Sequence, residues 1–311
     1  IALPSMLERG YDKSMALGVI NTGGGWGILI PPSILMILYA LITGVSVGQM
    51  FAAGIMPGVL LMVLTAIYII VRCHLQPELA PALPKEDRGT WPEKLRALRA
   101  VLLPIGVVVM VLGSIIGGIT TPTEAAAMGV LGALISAAVY RQFKWSILKE
   151  AAIRTFKLTG MIMWILFAAH AFSAAYQSMG AQELIEGLMN MVPGGPWGII
   201  IAMMVIVFLL AMVLDPVGIM LITLPVFMPI VESLGFDPIW FGILFVINME
   251  IGYMTPPFGF NLFYLKGIVP PSITMKDIYK SIIPFVIVEI IGIILIMIFP
   301  EIATWLPDMF F

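Results

Sequence analysis

The chain has 311 residues, 60% of them hydrophobic and only 11% charged, with a mean hydropathy of +1.06. Soluble domains carry about 25% charged residues, so this composition excludes one and specifies a polytopic membrane protein. One cysteine, Cys73, and two histidines, His74 and His170, exclude an intrachain disulfide and a histidine-rich metal centre; the net charge of −2 carries no further information.

Stretches of about 20 apolar residues predict spans near 11–45, 51–72, 97–118, 123–140, 157–178, 196–232, 237–267 and 282–300. The first of these contains "GGGWGILIPPS", Gly23 to Ser33. Gly costs about 1 kcal/mol and Pro about 3 kcal/mol inside a helix, so a break is expected across this run. The loop "CHLQPELAPALPKEDRGTWPEKLRALR" is proline-rich and mixed in charge, and reads as a linker followed by an interfacial helix. "TPTE", Thr121 to Glu124, has the pattern of a capping box. His170 reads as a packing residue in its span. "GAQELIEGLMNMV" from Gly180 and "SITMKDIYKSI" from Ser272 read as interfacial connections. Within 196–232 the polar tip is "LDPVG", Leu214 to Gly218, where Asp215 suits both a helix cap and an intramembrane functional acid. The 237–267 span is interrupted at "GYMTPPF", from Gly252. Glu289 sits in the last span and needs a partner helix to cover it.

The sixteen Lys and Arg residues fall in four groups: Arg9 and Lys13; Arg72 to Arg99; Arg141 to Lys157; and Lys266 to Lys280. The positive-inside rule makes these cytoplasmic. The C-terminus, with Glu301 and Asp308, is then external. Segment 196–232 must enter and leave on the external side, as a re-entrant hairpin with its tip at Leu214–Gly218.

The two proline pairs lie 225 positions apart, and that offset, held without a gap, pairs Gly27 with Gly252, Asp12 with Asp237, Gly10 with Gly235, Pro4 with Pro229 and Tyr39 with Tyr264. The charge pattern sends the two units across the membrane in opposite directions. An inverted repeat with a Gly/Pro-interrupted helix in each half is the architecture of a secondary transporter. The expected organisation is residues 1–73 as the end of the first repeat, 74–96 as a cytoplasmic linker and 97–311 as the second repeat. By the same repeat, roughly 130 residues of scaffold and hairpin are expected upstream of Ile1, making the chain an N-terminally truncated piece. Irregular backbone at membrane depth is tolerated where it lines a cavity or is buried in protein. Carbonyls ending one half-helix suit a cation, and amides opening the next, near Ser33 or Phe258, suit an anion.

"GYDKSMALGVINTGGGWGILIPPSILMILYA", "FAAGIMPGVLL", "ITTPTEAAAMG", "LDPVGIMLITLPVFMPIVESLGFDPIWFGI" and "INMEIGYMTPPFGFNLF" together resemble the large permease subunit of tripartite ATP-independent periplasmic (TRAP) transporters, the DctM-like proteins. The resemblance implies an all-α, elevator-type secondary transporter of the bacterial or archaeal inner membrane. It implies coupling to sodium ions and no other cofactor. The partners it implies are a small four-helix membrane subunit, a periplasmic substrate-binding protein and an organic-anion substrate such as a C4-dicarboxylate, sialic acid or another sugar or keto acid. Carried over by position, it implies cation contacts at Thr22, Gly23, Gly25 and Gly27 in the first half, and at Asp215, Gly218, Asn248, Gly252, Met254 and Thr255 in the second. Substrate contacts are implied at Pro32, Ser33, Thr255, Pro257 and Asn261. Glu250 departs from the neutral residue expected there and is an alternative proton or cation site. The nearest rival is a stand-alone carrier for dicarboxylate, gluconate or tricarboxylate; an ion channel is a more distant one. An enzyme is not expected, since neither an acidic metal cluster nor a nucleophile–base pair is visible. Nor is there a Walker motif or a basic nucleic-acid face.

Overall fold

A computed structural model describes residues 2–82, 90–180, 187 and 192–311. It is all-α, without a strand among the described residues. In chain order the helices are α1 (Ala2–Glu8), α2 (Lys13–Leu29), α3 (Ile34–Thr43), α4 (Val47–Leu75), α5 (Trp91–Ile116), α6 (Pro122–Val139), α7 (Trp145–Ser178), α8 (Gly195–Ala211), α9 (Pro216–Ser233), α10 (Pro238–Tyr253), α11 (Phe260–Ile268), α12 (Met275–Ile298) and α13 (Glu301–Phe310). Among the described residues, six segments are long and apolar enough to cross a membrane, α2 and α3 counting as one of them. The chain divides into two compact units, one built from α1–α4 and α8–α13, the other from α5–α7.

In the first unit, local chemistry repeats itself 225 positions on. Gly10 and Gly235 both take a left-handed turn, φ +78° and +77°, a conformation that favours glycine. Two residues later Asp12 caps α2, accepting from the Met15 amide at 2.9 Å, and Asp237 caps α10, accepting from the Ile239 and Trp240 amides at 2.6 and 2.9 Å. Both caps lead into a helix that stops at a Pro-Pro pair and resumes as a short helix, α3 or α11. Equivalent helices run antiparallel. On α4, Leu61 lies against Gly292 of α12, while Tyr68 packs edge-on against Phe285 at 5.2 Å. Rising along one helix is descending along the other.

Helix α10 is the centre of this unit, every residue from Trp240 to Tyr253 being buried. Its apolar surface lies against α8, α12, α4 and α2. A second core joins Leu3, Met15, Ala16 and Leu17 to Leu262, Leu265, Ile278, Ile282 and Phe285. Such burial, at about 25 cal/mol per Å² of apolar surface removed from water, operates wherever these faces would otherwise meet solvent. Within the bilayer, close packing takes over that role.

Four features differ from expectation. The glycine run does not break its helix: α2 continues through Gly23–Gly27 to Leu29, and only Ile30–Ser33 leave the helix. Four glycines weaken a helix by about 4 kcal/mol at most, and the neighbours of α2 offset that through packing. "SITMKDIYKSI" is not a separate interfacial piece. Thr274 caps α12, accepting from the Asp277 amide at 3.3 Å while the Asp277 carboxylate accepts from the Thr274 amide at 2.8 Å, so these charged residues are the first turns of the last long helix. The stretch from Val45 to Phe51, which reads as interfacial from its sequence in the same way, is instead the cap and first turn of α4. After α12 the chain makes one more helix, α13, which the sequence reading did not foresee. Most of "GAQELIEGLMNMV" and the middle of the linker lie outside the described residues.

In the second unit α6 packs on α5 through glycines: a Cβ at Gly132 would stand 2.7 Å from Val107, and one at Gly129 would stand 3.2 Å from Val111. Thr121 and Glu124 form the expected capping box, with the Thr121 amide donating to the Glu124 carboxylate at 2.8 Å. His170 is exposed on α7 rather than packed.

Candidate functional site

The second break is built from α10, α11 and the turn between α8 and α9. As α10 ends, the Met254 amide donates to the Glu250 and Ile251 carbonyls, both at 3.2 Å, and the Thr255 amide donates to Gly252 at 3.1 Å. The Thr255 hydroxyl donates back to the Ile251 carbonyl at 2.6 Å. Gly259, at φ +55°, then turns the chain into α11. The Tyr279 hydroxyl holds the Pro257 carbonyl at 2.8 Å.

Between α8 and α9 the backbone leaves the helix for only a few residues. Asp215 caps α9, accepting from the Gly218 amide at 3.0 Å, and is itself exposed. This turn meets the break, because Gly252 carries no side chain: a Cβ there would run into Ala211 and stand 3.2 Å from the Phe208 carbonyl oxygen. One turn earlier on α10, the Asn248 amide donates to the Met204 carbonyl at 2.6 Å. The end of α8 is thus fixed to the last two turns of α10, with Asp215 and Gly218 just beyond it.

At the first break, Ser33 caps α3. Its hydroxyl donates to the Ile28 carbonyl and accepts from the Met36 amide at 3.4 Å, and the residue is buried. Pro32 and Pro257 are exposed, and Asn261 is half-buried in the first turn of α11. The first-half cation candidates separate by face. Gly23 and Gly27 are exposed, whereas Thr22 and Gly25 point inward. Gly25 lies so close to Glu250 that a Cβ would overlap the carboxylate.

That inward face leads to groups the sequence reading did not assemble. Glu250 on α10 and Glu289 on α12 are both completely buried, and each acts electrostatically on the other. The Trp26 indole N–H interacts with Glu289 but stays outside hydrogen-bond geometry. Neither carboxylate has a hydrogen-bond partner, and the same holds for Thr22 and Thr65. An isolated acid in an apolar span is visible in the sequence; which helices cover it is not.

The family model described as "Tripartite ATP-independent periplasmic transporter, DctM component" matches residues 1–302. The ectoine TRAP transporter large permease protein TeaC of Halomonas elongata is 35% identical over 309 residues, covering 99% of this chain and 71% of that protein. The C4-dicarboxylate TRAP transporter large permease protein DctM of Vibrio cholerae is 36% identical over 332 residues, again with 99% and 71% coverage. The protein of the same name from Pseudomonas aeruginosa is 33% identical over 311 residues, with the same coverage.

Proposed function

The chain belongs to the DctM family of TRAP transporter large permeases, and we propose that it takes up a small organic acid, driven by a sodium gradient. It is a multi-pass membrane transporter component and not an enzyme. The names of the relatives span ectoine and C4-dicarboxylates, so the substrate class in this reading is set by the chemistry of the breaks rather than by kinship. Membership in a three-part family disfavours the stand-alone carrier.

The observation that carries the reading is the second break. The α8–α9 turn, with Asp215 and Gly218, meets an interrupted helix whose Gly252 carbonyl is held by the Thr255 amide and whose next carbonyls, at Met254 and Thr255, fall where the helix stops. Oxygen ligands of this kind suit a hard, weakly dehydrated cation. Asp215 would supply the negative charge, and a carboxylate in that place repels an anionic substrate. The substrate is then expected at the opposite sense of dipole, where α3 and α11 begin. Pro32 and Ser33 lie just before α3, and Pro257 and Asn261 lie just before and within the first turn of α11; helix N-termini attract anions. Thr255 lies between the two and is expected to touch both. In the first half, exposed Gly23 and Gly27 are the remaining cation candidates.

In this reading the broken helices move as one body against the spans around them, in an elevator-type cycle. The cation closes the site before substrate enters. A small four-helix membrane subunit and a periplasmic binding protein complete the transporter, in the inner membrane, with the C-terminus on the periplasmic side. The test is uptake of a panel of organic acids into proteoliposomes holding the full-length protein and the small subunit, with the binding protein outside. Uptake that requires both an inward sodium gradient and the binding protein supports the reading. Uptake without the binding protein, or driven by protons alone, overturns it.

A further inference from the structure

Among the described residues, six oxygens in the interior of the first unit have no hydrogen-bond partner, both carboxylate oxygens of Glu250, both of Glu289, and the hydroxyls of Thr22 and Thr65, and the N–H groups of Asn21 and Trp26 are unpartnered as well. Helix register brings the oxygens to one level. Lys13 of α2 pairs with Asp277 of α12 at 3.9 Å, and Gly18 abuts Ser281 and Phe285, so the two helices run parallel. One turn beyond Gly18, Thr22 is level with Glu289. From the other side, Leu61 and Tyr68 of α4 meet Gly292 and Phe285 of α12. Thr65 lies between the first two on the same face, and Glu289 lies between the second two. Glu250 closes the group from α10, against Gly25, which is one turn from Thr22 on the same face.

The threonines are informative. Thr43, Thr155, Thr223 and Thr255 each donate to the carbonyl four residues back, at 2.6–2.9 Å. That is the ordinary way a helix satisfies a buried hydroxyl. Thr22 and Thr65, 0% and 2% exposed, make no such bond. Their oxygens are left free beside two carboxylates.

Among the described residues, no basic side chain pairs with either acid. The cations nearest along the surrounding helices are Lys13, Arg72 and Lys280, about 10–13 Å along the helix from the level of Glu289. Lys13 already pairs with Asp277. Two uncompensated carboxylates in a buried intramembrane position are strongly unfavourable. Oxygen-only donors with net negative charge match a hard cation.

We propose that Glu250, Glu289, Thr22 and Thr65 form a buried binding site for a hard cation, separate from the α8–α9 turn. The existence of this site does not depend on the transport reading; its use as a coupling site rests on that reading.

The test uses the full-length protein in detergent, titrated with sodium chloride against choline chloride at constant ionic strength, with calcium chloride in parallel. Bound radiolabelled sodium or calcium and the thermal unfolding midpoint are both read. For Glu289→Gln we expect one fewer cation bound per chain. Its cation-free midpoint should exceed that of the wild type, because an uncompensated charge has been removed. Thr65→Val, which keeps the charge and the shape, should weaken the same binding event several-fold. Unchanged stoichiometry and affinity in both variants overturn the site. So does a wild-type stability that responds to pH and not to cation, with that response lost in Glu289→Gln, which would assign the pair to a proton. Normal Glu289-dependent binding with no sodium-driven uptake would overturn the transport reading alone.

Discussion

Replacing Gly252 by Ala tests whether the contact between the α8–α9 turn and the second break is as close as the structure has it. The added Cβ would overlap the Ala211 side chain and stand 3.2 Å from the Phe208 carbonyl oxygen and 3.3 Å from the Ala211 carbonyl carbon. Two of these atoms are backbone and cannot swing away. Overpacking a filled site costs about 1–3 kcal/mol, while Ala in place of Gly in a helix returns about 1 kcal/mol. The net expectation is a loss of about 0–2 kcal/mol. Gly24→Ala supplies the internal reference. It makes the same change within α2, where nothing lies within 4 Å of the new methyl group, so the gain of about 1 kcal/mol should stand alone. The two variants should therefore differ by about 1–3 kcal/mol, which at about 2–4 °C per kcal/mol is a separation of several degrees. Thermal unfolding of both in the same detergent, followed by tryptophan fluorescence, measures it. A Gly252→Ala midpoint equal to or above that of Gly24→Ala would refute the close contact and, with it, the positioning of Asp215 at the break.

Asp215→Asn should preserve the α9 cap and leave stability within about 0.5 kcal/mol, since Asn caps as well as Asp, while Asp215→Ala should cost about 1 kcal/mol; if the residue also holds a cation, Asn alone will depress sodium affinity, read by binding. Tyr39→Phe removes the 2.6 Å bond from its hydroxyl to the Pro238 carbonyl and should destabilise by about 0.5–1.5 kcal/mol, the net worth of one hydrogen bond to a part-buried acceptor, measured by denaturant or thermal unfolding. At the start of α5 the Thr90 amide and hydroxyl donate to Glu93 at 2.7 and 2.9 Å and hold its carboxyl below the usual range. A lowered folded-state value means the contribution is present above the ordinary carboxylate range and lost as pH falls through the folded one. Hydrogen exchange in the first turn of α5, compared with Glu93→Gln, should show a protection difference at neutral pH that vanishes in acid.

Much of this fold is legible in order. The hydrophobic runs mark the spans, and the repeated Asp-cap, glycine-turn and Pro-Pro pattern marks both broken helices at their correct spacing. What misleads is local propensity read without neighbours. Gly23–Gly25 look like a break, but α2 is held helical by what packs against it, and Gly25 is present because Glu250 occupies the space a side chain would fill. The charges after Ser272 look like an interfacial segment because a capping box and the first turns of a long helix share the same composition. The buried acids show the deeper limit. Glu250 and Glu289 are far from Thr22 and Thr65 in the chain, and their convergence depends on the relative register of four helices, which no periodicity reports.

The Tyr39–Pro238 bond belongs to a wider pattern. Helix α3 lies on α9 and α10, α2 on α12, and α4 on both α10 and α12, while the Trp240 indole donates to the Ile296 carbonyl at 2.9 Å within the second half. Residues before the linker are therefore clasped to residues after it through contacts that do not run through the linker itself. A chain cut in that loop and produced as two polypeptides should reassemble and co-purify. The covalent join then serves mainly to deliver the two pieces in equal number.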